Sequence, residues 1–250
     1  MPRARMQPAV KTRLLESVSA DESDAHDLTG GDLVVEKVRQ WVFEGILRDG
    51  DTLSQDDLAD VLGLSRIPVR DGLIALEAAG WVRMVPGVGA TAVGLDGAAI
   101  EDCFELFVTL WRLMIQRAVQ GGGEFQSLLG AIRSVQQAQT PEEMAAANEE
   151  FVAALCEVAG APRLEAAFHN AGRIVPRDFF SVVPEAVEVQ RRSVPAIGRA
   201  VVRGDAKRAT TLAVAQHRAH AKNLIRLLSE RNVLRDEGPG RSLQSRVNSR

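Results

Sequence analysis

The chain has 250 residues, enough for two domains of ordinary size, and its 46% hydrophobic and 25% charged content is that of a soluble globular protein. A net charge of −3 argues against a protein that holds nucleic acid by bulk positive charge. No apolar run approaches the ~18–20 residues of a membrane span, the basic N-terminus has no apolar leader segment, and Cys103 and Cys156 are too few for a disulfide scaffold. A cytoplasmic protein with reduced core thiols and no membrane partner is expected.

Residues 1–30 carry Arg3, Arg5, Lys11 and Arg13 before an acidic stretch, Ser19 to Asp27. This composition predicts a disordered N-terminal arm with at most a short helical piece around Leu14-Leu15; the functional alternative is a basic arm that grips a phosphate backbone. Val35, Val38, Val42 and Ile46 then predict an amphipathic helix, closed at Arg48-Asp49-Gly50-Asp51.

Residues 54–78 read as two helices around a tight turn. Ser54-x-x-Asp57 opens the first, Leu58, Val61 and Leu62 give it one apolar face, and Gly63 ends it. Ser65 is placed to cap the second, Pro68 lies in its first turn, and Val69, Leu73 and Leu76 form its stripe. After Gly80, the apolar segments Trp81 to Val85 and Ala90 to Val93 flank Pro86-Gly87-Val88-Gly89, which predicts a β-hairpin.

This is a helix-turn-helix with a wing, and residues 31–95 resemble the DNA-binding domain of GntR-type bacterial transcription regulators. The matching run is Gly50-Asp51-x-Leu53, then Leu58-Ala59-x-x-Leu62-Gly63-Leu64-Ser65-Arg66-x-Pro68-Val69-Arg70. It continues with Leu73-x-x-Leu76-x-x-x-Gly80-Trp81-Val82 and Pro86-x-x-Gly89. The resemblance implies double-stranded DNA as partner, read at a palindromic operator by a homodimer. It places the DNA contacts on Ser65, Arg66, Ile67, Pro68 and Arg70, with Gly89 and Thr91 in the wing. Arg66 and Arg70 share one helical face, an arginine can fork onto a guanine edge, and Ile67 can meet a thymine methyl. Acids nevertheless outnumber bases ten to six between residues 31 and 95, and Asp56 stands where some relatives carry a basic residue.

Gly94 to Gly97 is a short linker. Residues 98–234 then read as helices only: Ile100 to Val119, Phe125 to Ala138, Thr140 to Gly160, Leu164 to Ile174, Pro184 to Val202, and Asp205 to about Leu234. Thr140-Pro141-Glu142-Glu143 is a complete helix start, with cap, proline and early acids. Residues 235–250 are a polar tail, expected to be disordered. The fold class is thus mainly α: an N-terminal winged helix-turn-helix with a small β-hairpin wing, plus a C-terminal all-α antiparallel helical bundle.

That bundle resembles the FCD effector domain of FadR-like GntR regulators, through Asn148-x-x-Phe151-x-x-Ala154-Leu155-x-x-x-Ala159-Gly160-x-x-x-Leu164 and Ala200-Val201-x-x-Gly204-Asp205-x-x-x-Ala209. The resemblance implies a transcriptional repressor controlled by a small-molecule metabolite. Many such domains hold a divalent metal on one aspartate and three histidines, but the corresponding positions here are Asn148, Val152, Val194 and Gln216. The family's arginine and glutamate on the first bundle helix are replaced by Leu110 and Met114. No metal or other cofactor is therefore expected, with His217 and His220 as weak variant ligands and His169 and Glu149 as conceivable neighbours. The implied pocket, lined by Leu110, Met114, Asn148, Val152, Val194 and Gln216, favours an apolar or neutral effector. The alternative is an effector-free DNA-binding dimer whose helical domain only dimerises. An enzyme is not expected, since there is no nucleophile constellation, no His-Glu-x-x-His and no phosphate loop.

Overall fold

A computed structural model describes residues 5–20, 29–86, 89–122, 124–172, 175 and 178–235. They divide into two compact units, one comprising the described residues up to Gly97 and from Leu228 onward, the other Ala98–Leu227.

The first unit begins with a helix, α1 (Pro8–Ala20), where a disordered arm was expected. The arm does not describe these residues because Met6, Val10 and Leu14, spaced four apart, bury completely and so offset the entropy of ordering the segment. Residues 1–4 and 21–28 of the expected arm lie outside the described residues. Helix α2 (Gly30–Phe43) is capped by the Thr29 hydroxyl, which accepts from the Asp32 amide. Its core stripe is Val34, Val38, Trp41 and Val42, one residue out of phase with the expected start at Val35, and the helix ends before Ile46. Trp41 sets that phase: its indole buries fully while Nε1 donates to Ser17 Oγ at 3.0 Å.

Strand β1 (Thr52–Leu53) precedes α3 (Gln55–Leu62) and α4 (Arg66–Ala78). The Ser54 hydroxyl caps α3, accepting from the Asp57 amide at 3.1 Å and donating to its carboxylate at 2.7 Å. Gly63 takes φ 64° at the C-cap, the left-handed conformation that ends α3 and begins the turn. Ser65 occupies the N-cap of α4 but its side chain makes no capping bond. Val69, Leu73 and Leu76 are fully buried, and α4 presses so closely on α2 that a Cβ at Gly72 would lie 2.6 Å from the Val34 Cβ. Strands β2 (Val82–Val85) and β3 (Gly89–Ala92) form the expected hairpin, and β1 adds a third antiparallel strand in the order β1-β3-β2. Arg235, at the start of the expected tail, donates its amide to the Leu95 carbonyl at 2.9 Å and meets Asp96; residues 236–250 lie outside the described residues.

The second unit is helical: α5 (Gly97–Gly121), α6 (Gln126–Gln137), α7 (Pro141–Val158), α8 (Pro162–Gly172), the short α9 (Phe179–Val182), α10 (Pro184–Val202) and α11 (Ala206–Glu230), which ends in the first unit. Thr140 and Glu143 make both bonds of a capping box, with Pro141 at the first position of α7. The single turn α9 has no periodic signature, yet Phe179 and Phe180 are buried there and both rings meet His220. The core is aromatic where α5, α7 and α8 meet: Trp111 stacks on Phe151 at 5.7 Å, and Phe168 packs against Phe107 and Trp111. No described helix is long and apolar enough to cross a membrane.

Candidate nucleic-acid interface and effector site

Helix α4 turns Val69, Gly72, Leu73 and Leu76 inward, which leaves Arg66, Ile67 and Arg70 on the opposite face. Ile67 is 74% exposed, well above Ile74 at 51%, the next most exposed bulky apolar side chain among the described residues. An isoleucine kept in water on a charged helix face costs solvation free energy that a groove contact would recover. Arg70 is exposed, with no ion pair among the described residues, whereas Arg66 Nε lies 2.8 Å from Asp56 Oδ1 of α3. Pro68 is only half exposed and packs on the start of α2, since a Cβ at Gly30 would come within 2.8 Å of the Pro68 Cβ. Its position is explained by that contact.

In the wing, Gly89 has φ 115°, and a Cβ there would sit 2.9 Å from the Leu53 carbonyl oxygen. The β1–β3 approach therefore demands glycine whether or not DNA is near. Thr91 is half-buried and pairs across the ladder with Thr52 and Arg83. Arg83, exposed directly opposite Thr91, is a candidate that sequence reasoning missed. The strand alternation Val82-Arg83-Met84 is the signal that would have found it.

The acidity of the module is partly neutralised from within. Lys11 of α1 reaches Asp57 at 2.9 Å and Asp60 at 3.1 Å, and Arg13 reaches Asp51 at 3.1 Å. Burial pushes the Asp57 carboxyl up, but the bonds from Lys11, Ser54 and the Met6 amide outweigh it and hold the group at about 2. These two bases of the N-terminal segment are spent on the protein's own acids.

The residues proposed for an effector pocket do not share one environment. Met114, Val152 and Val194 are wholly buried, and Met114 Sδ lies 3.2 Å from the Cys156 thiol, which burial raises to about 11. Leu110 is half exposed on another face of α5. Asn148 and Gln216 belong to a polar cluster whose centre, Gln190 of α10, was not anticipated. Gln190 donates to Asn148 Oδ1 at 2.5 Å, and its own Oε1 takes the Gln216 amide and faces His220 Nε2 at 3.2 Å. Within this core Gln216 Oε1, His220 Nδ1 and Trp111 Nε1 are buried without a partner. Gln190 falls four residues before Val194 on the same face of α10, which is the only hint its sequence position carries.

The positions that hold a metal in the family pattern offer few donors: valine supplies none at 152 or 194, Asn148 Oδ1 accepts from Gln190, and His217 directs Nδ1 to the Ala213 carbonyl at 2.8 Å, which leaves only Gln216 Oε1 and His220 Nδ1 open. The His217 ring is enclosed by Phe104, Phe107 and Trp111, and burial lowers His217 to about 4 and His220 to about 3. His169 does meet Glu149, at 3.6 Å, but on the exposed surface. Among the described residues no three His, Cys, Asp or Glu side chains are grouped to hold an ion. A separate open groove of about 740 Å³ lies between α6 and α7, lined in part by Ser127, Arg133, Glu150 and Glu157.

Residues 31–91 match the model of the bacterial regulatory proteins of the gntR family. This winged helix is similar to the DNA-binding domains of that family. Over 66 residues it is 39% identical to an uncharacterized HTH-type transcriptional regulator of Streptomyces ambofaciens, covering 26% of this chain and 28% of that protein. An uncharacterized HTH-type transcriptional regulator of Mycobacterium tuberculosis is 28% identical over 153 residues, 60% of this chain and 62% of its own length. The chain thus spans less than two thirds of these relatives. Solved structures share the fold at low identity. Lar of Listeria monocytogenes, described as controlling expression of the agr system, is 18% identical with a TM-score of 0.58 over 80% of this chain and 98% of its own. McbR/YncC of E. coli is 16% identical with a TM-score of 0.54 over 81% and 99%.

Proposed function

We propose that this protein is a cytoplasmic DNA-binding transcriptional regulator of the gntR family, acting as a homodimer on a palindromic operator. The observation that carries it is the outward face of α4, where Ile67 and Arg70 stand free of the core in a domain that matches that family. Arg70 and Arg66 read base edges in the major groove, Ile67 contacts a thymine methyl, and Arg83 with Thr91 approaches the backbone from the wing. The fold and the relatives give no support to catalysis. Selection of binding sites from a random duplex pool, followed by anisotropy titration, tests this reading. It predicts a two-fold symmetric consensus and loss of ~1–3 kcal/mol with Arg70→Ala; a chain that enriches no sequence contradicts it.

The helical unit is proposed as an FCD-type effector domain that has exchanged its metal for the Asn148–Gln190–Gln216–His220 cluster. The partnerless Gln216 Oε1, His220 Nδ1 and Trp111 Nε1 support a neutral ligand offering both a donor and an acceptor. Bound to the core, it acts as a corepressor or inducer by favouring one arrangement of the bundle. One observation favours the second reading, an effector-free dimer: Met114, Val152 and Val194 are buried completely by their own neighbours. Native mass spectrometry of purified protein separates the two, an organic mass released on denaturation supporting the first and a clean chain the second.

A further inference from the structure

Helix α5 buries Ile100, Phe104, Phe107, Val108, Trp111, Met114, Ile115 and Ala118 in its own unit. Outside that core face it carries a second apolar line. Leu106 is 49% exposed, Leu113 is 37% exposed, and Leu110 between them is half exposed. At 100° per residue these three fall on one stripe at spacings of four and three, which is the seam spacing of paired helices. Arg117 continues the stripe by four more residues, and Asp102 precedes it by four.

We infer that this stripe is the dimer interface, α5 of one copy lying antiparallel on α5 of a second copy about a two-fold axis between residues 109 and 110. In that register Leu106 meets the partner's Leu113 and Leu113 the partner's Leu106, while Leu110 packs beside the axis. The same register sets Asp102 against the partner's Arg117, twice. Both groups are exposed, and neither has an ion pair among the described residues. The sequence is thus self-complementary in charge as well as in apolar character, which selects a second copy of this chain over an unrelated partner. Thr109, beside the axis, already donates its hydroxyl to the Glu105 carbonyl at 3.0 Å, so covering it strands no hydrogen-bonding group. A parallel pairing would bring Asp102 to Asp102 and Arg117 to Arg117 and is disfavoured by like charge.

The inference rests on the homodimer part of the proposed function and gives it a location. Sedimentation velocity of the full chain over a concentration series is the test, with thermal melting as a folding control. The wild type is expected to be a dimer. Leu106→Glu with Leu113→Glu should raise the dissociation constant at least ~100-fold without changing helical content. Asp102→Arg alone and Arg117→Asp alone should each weaken the dimer, and the two together should restore it, a result that a merely structural role for either side chain does not produce. A wild-type dimer untouched by all four changes overturns the interface and leaves the regulator reading intact. A wild-type monomer overturns the interface and the dimer together, and site selection on the same sample then reports whether DNA recognition stands without them.

Discussion

The Arg66 guanidinium of the second helix-turn-helix helix lies 2.8 Å from the Asp56 carboxylate of the first. The contact is one of opposite charge rather than a well-directed hydrogen bond, and both side chains are substantially exposed. In the free protein the arginine is therefore held by a neighbour that DNA must displace, while the carboxylate itself repels phosphate. Removing the acid with Asp56→Ala is predicted to tighten DNA binding several-fold at low salt, with the gain shrinking as salt rises. Anisotropy titrations at two ionic strengths measure it, and unchanged affinity would show that the pair has no bearing on binding.

The Asp57 carboxylate ties α1 to α3 by accepting from the Met6 amide, Lys11 and Ser54. Asp57→Ala leaves the Met6 amide without its partner and loses the Lys11 tie, which predicts destabilisation of ~1–3 kcal/mol by urea denaturation. Because the folded group sits at about 2, below its ordinary 3.8, its contribution is fully present above about pH 4 and is lost as the pH falls toward 2. The variant should show a flatter acid limb than the wild type.

A second pH effect has its origin in the other unit. His217 and His220 are buried and neutral, lowered to about 4 and about 3, whereas an unfolded chain protonates them near 6.5. Unfolding then takes up protons as the pH falls below 6.5, so stability is full above that value and declines toward pH 4. The slope is up to ~1.4 kcal/mol per pH unit for each histidine. His217→Phe should remove part of that slope; identical wild-type and variant profiles between pH 7 and 4 would contradict the burial argument.

Gly72 is where α4 and α2 approach most closely. A Cβ there would meet Val34 Cβ at 2.6 Å and the Gly31 carbonyl oxygen at 2.9 Å, and backbone cannot yield as a side-chain tip can. Gly72→Ala is predicted to cost ~1–3 kcal/mol in thermal or urea unfolding, despite the better helix propensity of alanine. A stabilised variant would mean that the helices separate more readily than this packing implies.

What the sequence made legible follows from how local each signal is. Ser54, Gly63 and the Val69-Leu73-Leu76 stripe announce their helices within a few residues, as do Thr140 and Glu143. The helix at Pro8–Ala20 was legible only as a short piece around Leu14-Leu15, because α1 packs on α3 and the Met6 amide finds its partner, Asp57, far along the sequence. Strand β1, two residues long, exists only because β3 pairs with it. Gln190 could not be singled out, since an amide on a helix face is ordinary until Asn148, Gln216 and His220 converge on it. Correspondence with the family places Leu110 in a pocket, whereas on α5 it shares a helical stripe with the exposed Leu106 and Leu113.

Whether Arg70 reads DNA decides the proposed function. The measurement is equilibrium binding of the full chain and of Arg70→Ala to a duplex enriched from random sequence, each against an unrelated duplex of equal length. A base-reading Arg70 gives sequence preference in the wild type and a loss of ~10-fold or more in the variant that is confined to the enriched duplex. Equal affinity of the wild type for both duplexes, or no difference between wild type and Arg70→Ala on the enriched one, would contradict it.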